Sequence, residues 1–369
     1  MRLLITGGAG FIGSHIADAL LRAGHRVRAY DVLDRQVHPD RKRPDYLDQR
    51  VELIVGDMRD RDGIVRAIDD VDAIFHFAAV VGVGQSQYEI SRYTAANVEG
   101  TATLLDVLAN EKHNVKKIVV VSSMSIYGEG LYVDSKGEPV VAPPRTADDL
   151  AAGKFDPLDA RGEPLRPVPT PESKPPSCES IYALNKKDQE EYCLLFGRTY
   201  GIPVVALRLF NTYGARQSLN NPYTGAAAIF ISRVQAGVAP MIYEDGNQQR
   251  DFVDVRDVAR AALLALESEA ANHRVLNVGS GRPISIADLA SMIAKVAGSK
   301  LEPQITNKTR KGDIRHCFAD ISAIRAIGFE PSITLERGLR DLYDWTAQQP
   351  VVAAAEQHQE ELRQRSLIV

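Results

Sequence analysis

Thr6-Gly7-Gly8-Ala9-Gly10-Phe11-Ile12-Gly13 joins the apolar run Leu3-Leu4-Ile5 directly to a segment of helical period, Ser14–Ala23. Glycines at 7, 10 and 13 let the chain turn tightly, let its backbone approach a pyrophosphate, and let the helix pack close to the strand. The helix N-terminus then presents unpaired N–H groups and a positive dipole end to the phosphates, with Phe11 and Ile12 as its first residues. The next strand-like run, Arg26–Asp31, ends in a carboxylate about 20 residues further on, where it can bind both ribose hydroxyls of an adenosine. That carboxylate repels a 2′-phosphate, so the expected cofactor is NAD rather than NADP. Arg28 and Arg35 are the nearby cations that oppose this preference.

The alternation continues outward. Val51–Val55, Ala73–Phe77, Lys117–Ser122 and Pro203–Leu209 read as strands, and Asp60–Ile68, Tyr93–Asn110 and Ile181–Tyr200 as helices. Such a series predicts an α/β fold of Rossmann type, a doubly wound parallel sheet covered by helices on both faces. Residues 129–176 break the pattern: they are rich in proline and acids and read as a long surface insertion, a lid or a decoration. A helix near Ala226–Ala236, a strand near Met241–Tyr243, a helix at Val255–Glu267, a strand at Val275–Val278 and a helix at Ile286–Val296 follow. The division expected is a cofactor-binding domain of residues 1–180, with 181–215 and about 250–270 returning to it. A smaller mixed α/β C-terminal lobe takes 216–249 and 271–350, and 351–369 form a helical or frayed tail.

Bulk properties exclude several classes. A net charge of −4 with no basic stripe argues against a nucleic-acid partner. No apolar run is long enough to span a bilayer, and no cationic leader precedes Leu3, so no membrane partner and a cytoplasmic location are expected. Three scattered cysteines, Cys178, Cys193 and Cys317, fit a reducing compartment, and no metal site is read.

Tyr182-Ala183-Leu184-Asn185-Lys186 sets a phenol and an ammonium on one helix face. A free phenol is too weak a base at neutral pH, but a neighbouring positive charge favours the phenolate. Tyr182 can then accept a proton from a substrate hydroxyl.

The GxxGxxG spacing, with Asp57 after the third strand and His76-Phe77-Ala78-Ala79 ending the fourth, resembles the extended short-chain dehydrogenase/reductase family. The resemblance implies that Asp57, with Met58, approaches the adenine and that Phe77, Ala78 and Ala79 line the pyrophosphate and nicotinamide ribose. Asn97 matches the family's asparagine on the long helix, and Tyr182 and Lys186 its catalytic pair, which also contacts the cofactor. Counting four residues back from Tyr127 in Ser122-Ser123-Met124-Ser125-Ile126-Tyr127-Gly128 makes Ser123 the family's substrate-binding hydroxyl, and leaves Ser122 as a strand-end cap. Cys178 is expected to be a bystander thiol.

Three further segments carry the resemblance into the second lobe. Asn211 and Arg216 lie in RLFNTYGAR, Arg250 in QQRDFV, and Arg315 in GDIR, positions implied to contact a nucleotide-diphospho-sugar. Arginine suits a diphosphate because its planar fork binds two oxygens at once. Related dehydratases carry Asp-Glu after the catalytic hydroxyl; Met124 and Ser125 supply no such acid–base pair, which points to a 4-epimerase. The loop Ser218–Gly225 looks most like enzymes acting on dTDP-6-deoxyhexoses, dTDP-L-rhamnose in particular. The family also implies a homodimer through the Tyr93–Asn110 and Ile181–Tyr200 helices.

Overall fold

Period-two alternation of apolar residues builds a sheet that is buried on both faces. In the computed structural model, which describes residues 1–219, 225–310 and 313–349, seven strands form it: β1 (Arg2–Thr6), β2 (Arg26–Asp31), β3 (Glu52–Val55), β4 (Ala73–His76), β5 (Lys117–Ser123), β6 (Val204–Leu209) and β7 (Val275–Val278). Their order is β7-β6-β5-β4-β1-β2-β3, and every pairing is parallel. Leu3, Ile5, Val119 and Val121 point into one core, while Leu4, Ile118 and Val120 point into the other. On the first face lie α1 (Phe11–Arg22) and α5 (Val255–Glu267); on the second lie α2 (Arg61–Ile68), α3 (Gly100–Asn110) and α4 (Ile181–Tyr200).

The strand order reverses between β1 and β4, whose C-terminal residues Thr6 and His76 are register partners. Connections leave this point in opposite directions and open a crevice beyond the strand ends, where open α/β sheets bind their ligands.

The helix expected over Tyr93–Asn110 is not uniform. It runs Ile90–Thr94, then a π-helical turn Ala95–Glu99, then α3. The extra residue in that turn rotates Asn97 inward, where it is fully buried.

Two other readings are corrected. Val275–Val278 is the edge strand of the large sheet, not part of the smaller lobe. The surface insertion 129–176, read as having little periodicity, holds regular structure: Pro139–Val141, Leu131–Val133 and Arg166–Val168 make an antiparallel sheet, with a short helix at Ala147–Ala151. Strands of three residues are too short to show a period, which is why their sequence reads as loop. Arg145 of this insertion pairs with Glu244 at 2.7 Å, and Asp156 with Arg315 at 2.8 Å, tying it to the second lobe.

That lobe packs helices Ala226–Gln235, Ile286–Val296 and Leu335–Thr346 around Tyr213, Ile242 and Phe252. Strands Asn211–Tyr213, Gln249–Asp254 and Pro283–Ser285 form a small sheet beneath them. Asn220–Thr224 of the Ser218–Gly225 loop, Lys311, Gly312 of the GDIR segment, and the tail fall outside the described residues. Among those described, no helix is long and apolar enough to cross a membrane.

Candidate active site

The glycine turn has the geometry its sequence demands. Gly7 has φ of +71°, and a Cβ there would lie 2.9 Å from the Ala78 backbone. A Cβ on Gly13 would lie 2.2 Å from the Gly7 carbonyl oxygen, so that position admits only glycine. Gly10 differs: its nearest neighbour would be the same oxygen at 3.4 Å, an ordinary contact. Gly10 caps α1 without any side-chain hydrogen bond, so Phe11, Ile12 and Gly13 begin a helix with no side-chain N-cap.

Asp31 is held by the turn. Its Oδ2 accepts from Ala9 N at 3.0 Å and its Oδ1 from Leu33 N at 2.9 Å. Burial pushes its carboxyl pKa up, while these backbone bonds and the nearby His38 pull it down. His38, nearly buried, is a neighbour the sequence did not reveal. Arg28 does not oppose the NAD preference: it ion-pairs with Glu52 at 3.0 Å and donates to the carbonyls of Ala67 and Asp69. Asp57 is engaged by Arg59 at 2.6 Å, which holds its carboxyl below the usual range. Met58 packs under Gly100, whose added Cβ would come within 2.7 Å of it. Phe77 is nearly buried, with Ala78 and Ala79 half-buried beside the turn.

Asn97 acts one step back from this crevice. Its Oδ1 accepts from Val80 N at 2.7 Å and its Nδ2 donates to Val80 O at 3.1 Å, which occupies the amide and fixes the loop after β4.

Three elements meet at the C-terminal end of β5. Ser180 caps α4, accepting from Ala183 N at 3.1 Å, and the Ser86 hydroxyl accepts from Tyr182 N at 3.0 Å. These anchors point the Tyr182 ring, edge-on to Tyr93, toward Ser123. Burial pushes the Tyr182 phenol up to about 12, and a hydrogen bond from Ser123 pulls it down. Lys186, one turn along, is 1% exposed, and burial lowers its pKa to about 7. Ser123 thus meets Tyr182 at the end of β5, and Lys186 lies buried one helical turn further along α4.

The cap expected of Ser122 is supplied by Ser123, which also meets Tyr182. Ser123 is the residue that caps the following turn, accepting from Ser125 N at 3.2 Å and Ser125 Oγ at 2.9 Å. Ser122 Oγ, buried, has no partner. Met124 packs into the core of the first face. Cys178 sits on the Ile126 carbonyl at 3.7 Å, and burial raises its pKa, so it stays a thiol.

On the substrate side the geometry is mixed. Asn211 Oδ1 is buried without a partner, as expected of an atom that meets a ligand. Arg216 pairs with Asp18 at 2.8 Å and keeps Nη1 unpartnered. Arg250 donates to the carbonyls of Gln249, Ile314 and Arg315. Arg315, 1% exposed, is bound by Asp156, Glu244 and Asp245 at 2.6–2.8 Å, so carboxylates occupy the guanidinium read as a diphosphate contact. Sequence reasoning also missed a structural pair beneath the site: Arg208 binds Glu190 at 2.6 Å and the Tyr127 hydroxyl at 2.8 Å.

Comparison with known proteins agrees with this geometry. Residues 3–155 and 160–279 match the model of the NAD dependent epimerase/dehydratase family. The chain is 36% identical over 356 residues to the dTDP-L-rhamnose 4-epimerase of Burkholderia thailandensis, spanning 94% of this chain and 95% of that one. It superposes on the UDP-glucose 4-epimerase of Thermotoga maritima in complex with UDP-glucose with a TM-score of 0.77, at 30% identity, covering 94% of this chain and 99% of that one. The UDP-glucuronic acid 4-epimerase of Bacillus cereus, bound to UDP-glucuronic acid and NAD, gives 0.75 at 27% identity with the same coverages.

Proposed function

The chain belongs to the NAD-dependent epimerase/dehydratase family, and on that premise we propose that it inverts C4 of a nucleotide-diphospho-sugar through a 4-keto form, with dTDP-L-rhamnose and dTDP-6-deoxy-L-talose as the pair interconverted. The Ser123–Tyr182 contact at the strand end, with Lys186 buried one helical turn along α4 and Met124 in the core beside it, carries this reading.

The turn fits the cofactor. Its close-packed backbone at Gly7 and Gly13, the absence of a side-chain cap on α1 and the Asp31 carboxylate at the end of β2 match the pyrophosphate and ribose of NAD. When bound, NAD supplies a reversible hydride acceptor and a positively charged ring beside the phenol. Ser123 orients the oxygen on C4. Tyr182 accepts the hydroxyl proton at Oη and later returns it, and the Lys186 ammonium stabilises the phenolate between those events. Asn211 and the free Nη1 of Arg216 would face the nucleotide-sugar. Arg315 reaches a diphosphate only by leaving its carboxylates, so Arg250 and Arg315 enter as weaker contacts than their sequence positions suggest.

The dTDP-rhamnose assignment is supported by the 36%-identical relative and by the Ser218–Gly225 resemblance. A UDP-sugar 4-epimerase is the second reading, favoured by the Thermotoga maritima structure. Incubation of the purified protein with dTDP- and UDP-sugars, followed by proton NMR at C4, separates them. New C4 epimers from dTDP-L-rhamnose alone support the first reading, and epimers from UDP-glucose alone replace it with the second.

We also infer a homodimer. Leu184, Tyr192 and Leu195 are 43–57% exposed along one side of α4, an apolar stripe that a second copy would cover.

A further inference from the structure

The Lys186 ammonium has a buried amide partner on its own helix. It donates to Gln189 Oε1, three residues on along α4. Gln189 is fully buried, and its Nε2 reaches His76 Nε2 at 2.9 Å and the Ala78 carbonyl at 3.3 Å. His76 in turn meets Thr6 Oγ1 through Nδ1 at 2.8 Å. Thr6 Oγ1 also accepts from Phe77 N and Ala78 N, both at 3.2 Å.

Hydrogen-bond roles order this chain. An ammonium only donates, so the Gln189 carbonyl must face Lys186 and its amide NH2 must face His76. The same amide donates to the Ala78 carbonyl, which holds it at the strand end, and His76 Nε2 stands 2.9 Å from both the amide nitrogen and the Thr101 hydroxyl. Burial, then the Lys186 charge, lower the His76 pKa to about 3, so the ring stays neutral.

We propose that Gln189, oriented by His76, is a positioning residue for Lys186: the Lys186–Gln189–His76–Thr6 chain holds the ammonium at Tyr182 and joins it to the strand ends that flank the glycine turn. The inference rests on the catalytic assignment of Lys186. Its physical content is that a charged donor buried this deeply needs a fixed acceptor to stay charged at neutral pH. The charged and titratable groups near Lys186 are His76 on β4 and, on its own helix, Glu190 and Cys193. Glu190 is already committed to Arg208.

Gln189→Leu and Gln189→Glu test this, because one removes the acceptor and the other keeps it with a negative charge. Lysine-selective 15N NMR, with the Lys186 signal assigned by its loss in Lys186→Met, reads the ammonium titration without any substrate. From a wild-type midpoint of about 7, the leucine variant should titrate about one pH unit lower and the glutamate variant higher. Above neutral pH the leucine variant should lose about tenfold in kcat with little change in KM for the sugar nucleotide, and the glutamate variant should recover part of it. A Lys186 midpoint unmoved in both variants, in proteins that remain folded by circular dichroism, overturns the proposal. If the wild-type enzyme converts no sugar nucleotide, the catalytic reading fails, while the NMR titration still decides whether Gln189 controls Lys186.

Discussion

Tyr182 and Lys186 stand one helical turn apart, and burial acts against the charged form of each: the phenol rises to about 12 and the ammonium falls to about 7. The pair can work only if each supports the charge of the other during proton transfer. Tyr182→Phe removes the proton acceptor while keeping the ring that packs against Tyr93. Turnover should fall by at least about a hundredfold, with NAD affinity by fluorescence titration near the wild-type value; near-normal turnover would show that another group takes the proton. Two histidines make a separate prediction. His76 is lowered to about 3 and His15, whose Nε2 faces the Ala215 carbonyl, to about 4, both mainly by burial. Their folded pKa values lie below the ordinary 6.5, so the unfolded chain takes up protons first as the solution is acidified. Stability is thus full above pH 6.5 and lost progressively as pH falls toward 4. Calorimetry should show the melting temperature dropping through this window, and His15→Gln should flatten the decline; equal slopes would contradict it.

At the scale of elements, the strand–turn–helix unit carries the cofactor assignment, and its glycines have separable roles. A Cβ on Gly13 meets the Gly7 carbonyl at 2.2 Å, whereas one on Gly10 finds only a 3.4 Å contact. Gly13→Ala should therefore destabilise the fold by about 1–3 kcal/mol, and Gly10→Ala should leave the melting temperature unchanged while weakening NAD binding. Loss of stability in Gly10→Ala would show that it, too, is needed for packing. This unit was legible in sequence because its spacing is local, and so was the YxxxK pair, which lies within one helix. The neighbours of those residues were not. Gln189 and His76 are 113 positions apart, and Arg315 and Asp156 lie 159 apart. No periodicity foretells that Arg315 meets carboxylates, or that Asn97 turns onto Val80 through a π-helical turn. The insertion hid its strands because runs of three residues are too short to show a period.

The whole molecule joins two parts around one crevice. The seven-stranded sheet presents the glycine turn, Asp31, Ser123 and, from the adjoining helix, Tyr182 at its strand ends, and the insertion is tied to the second lobe through Arg145–Glu244 and Arg315–Asp156. The exposed stripe on α4 lies on the helix that carries Tyr182 and Lys186, so the proposed dimer would join assembly and catalysis in one element. Leu195→Lys should shift the protein from dimer to monomer in sedimentation velocity; an unchanged dimer would place the interface elsewhere.

The central claim is that the protein returns the hydride it removes, so that the sugar is isomerised and no reduced cofactor accumulates. Purified protein with substoichiometric NAD and excess dTDP-L-rhamnose, followed at once by NMR at C4 and by the absorbance of reduced nicotinamide, tests it most directly. The account predicts many turnovers to the C4 epimer with no net rise in that absorbance. Reduced cofactor accumulating in step with a keto product, or sugar consumed only while added reduced cofactor is oxidised, would contradict it.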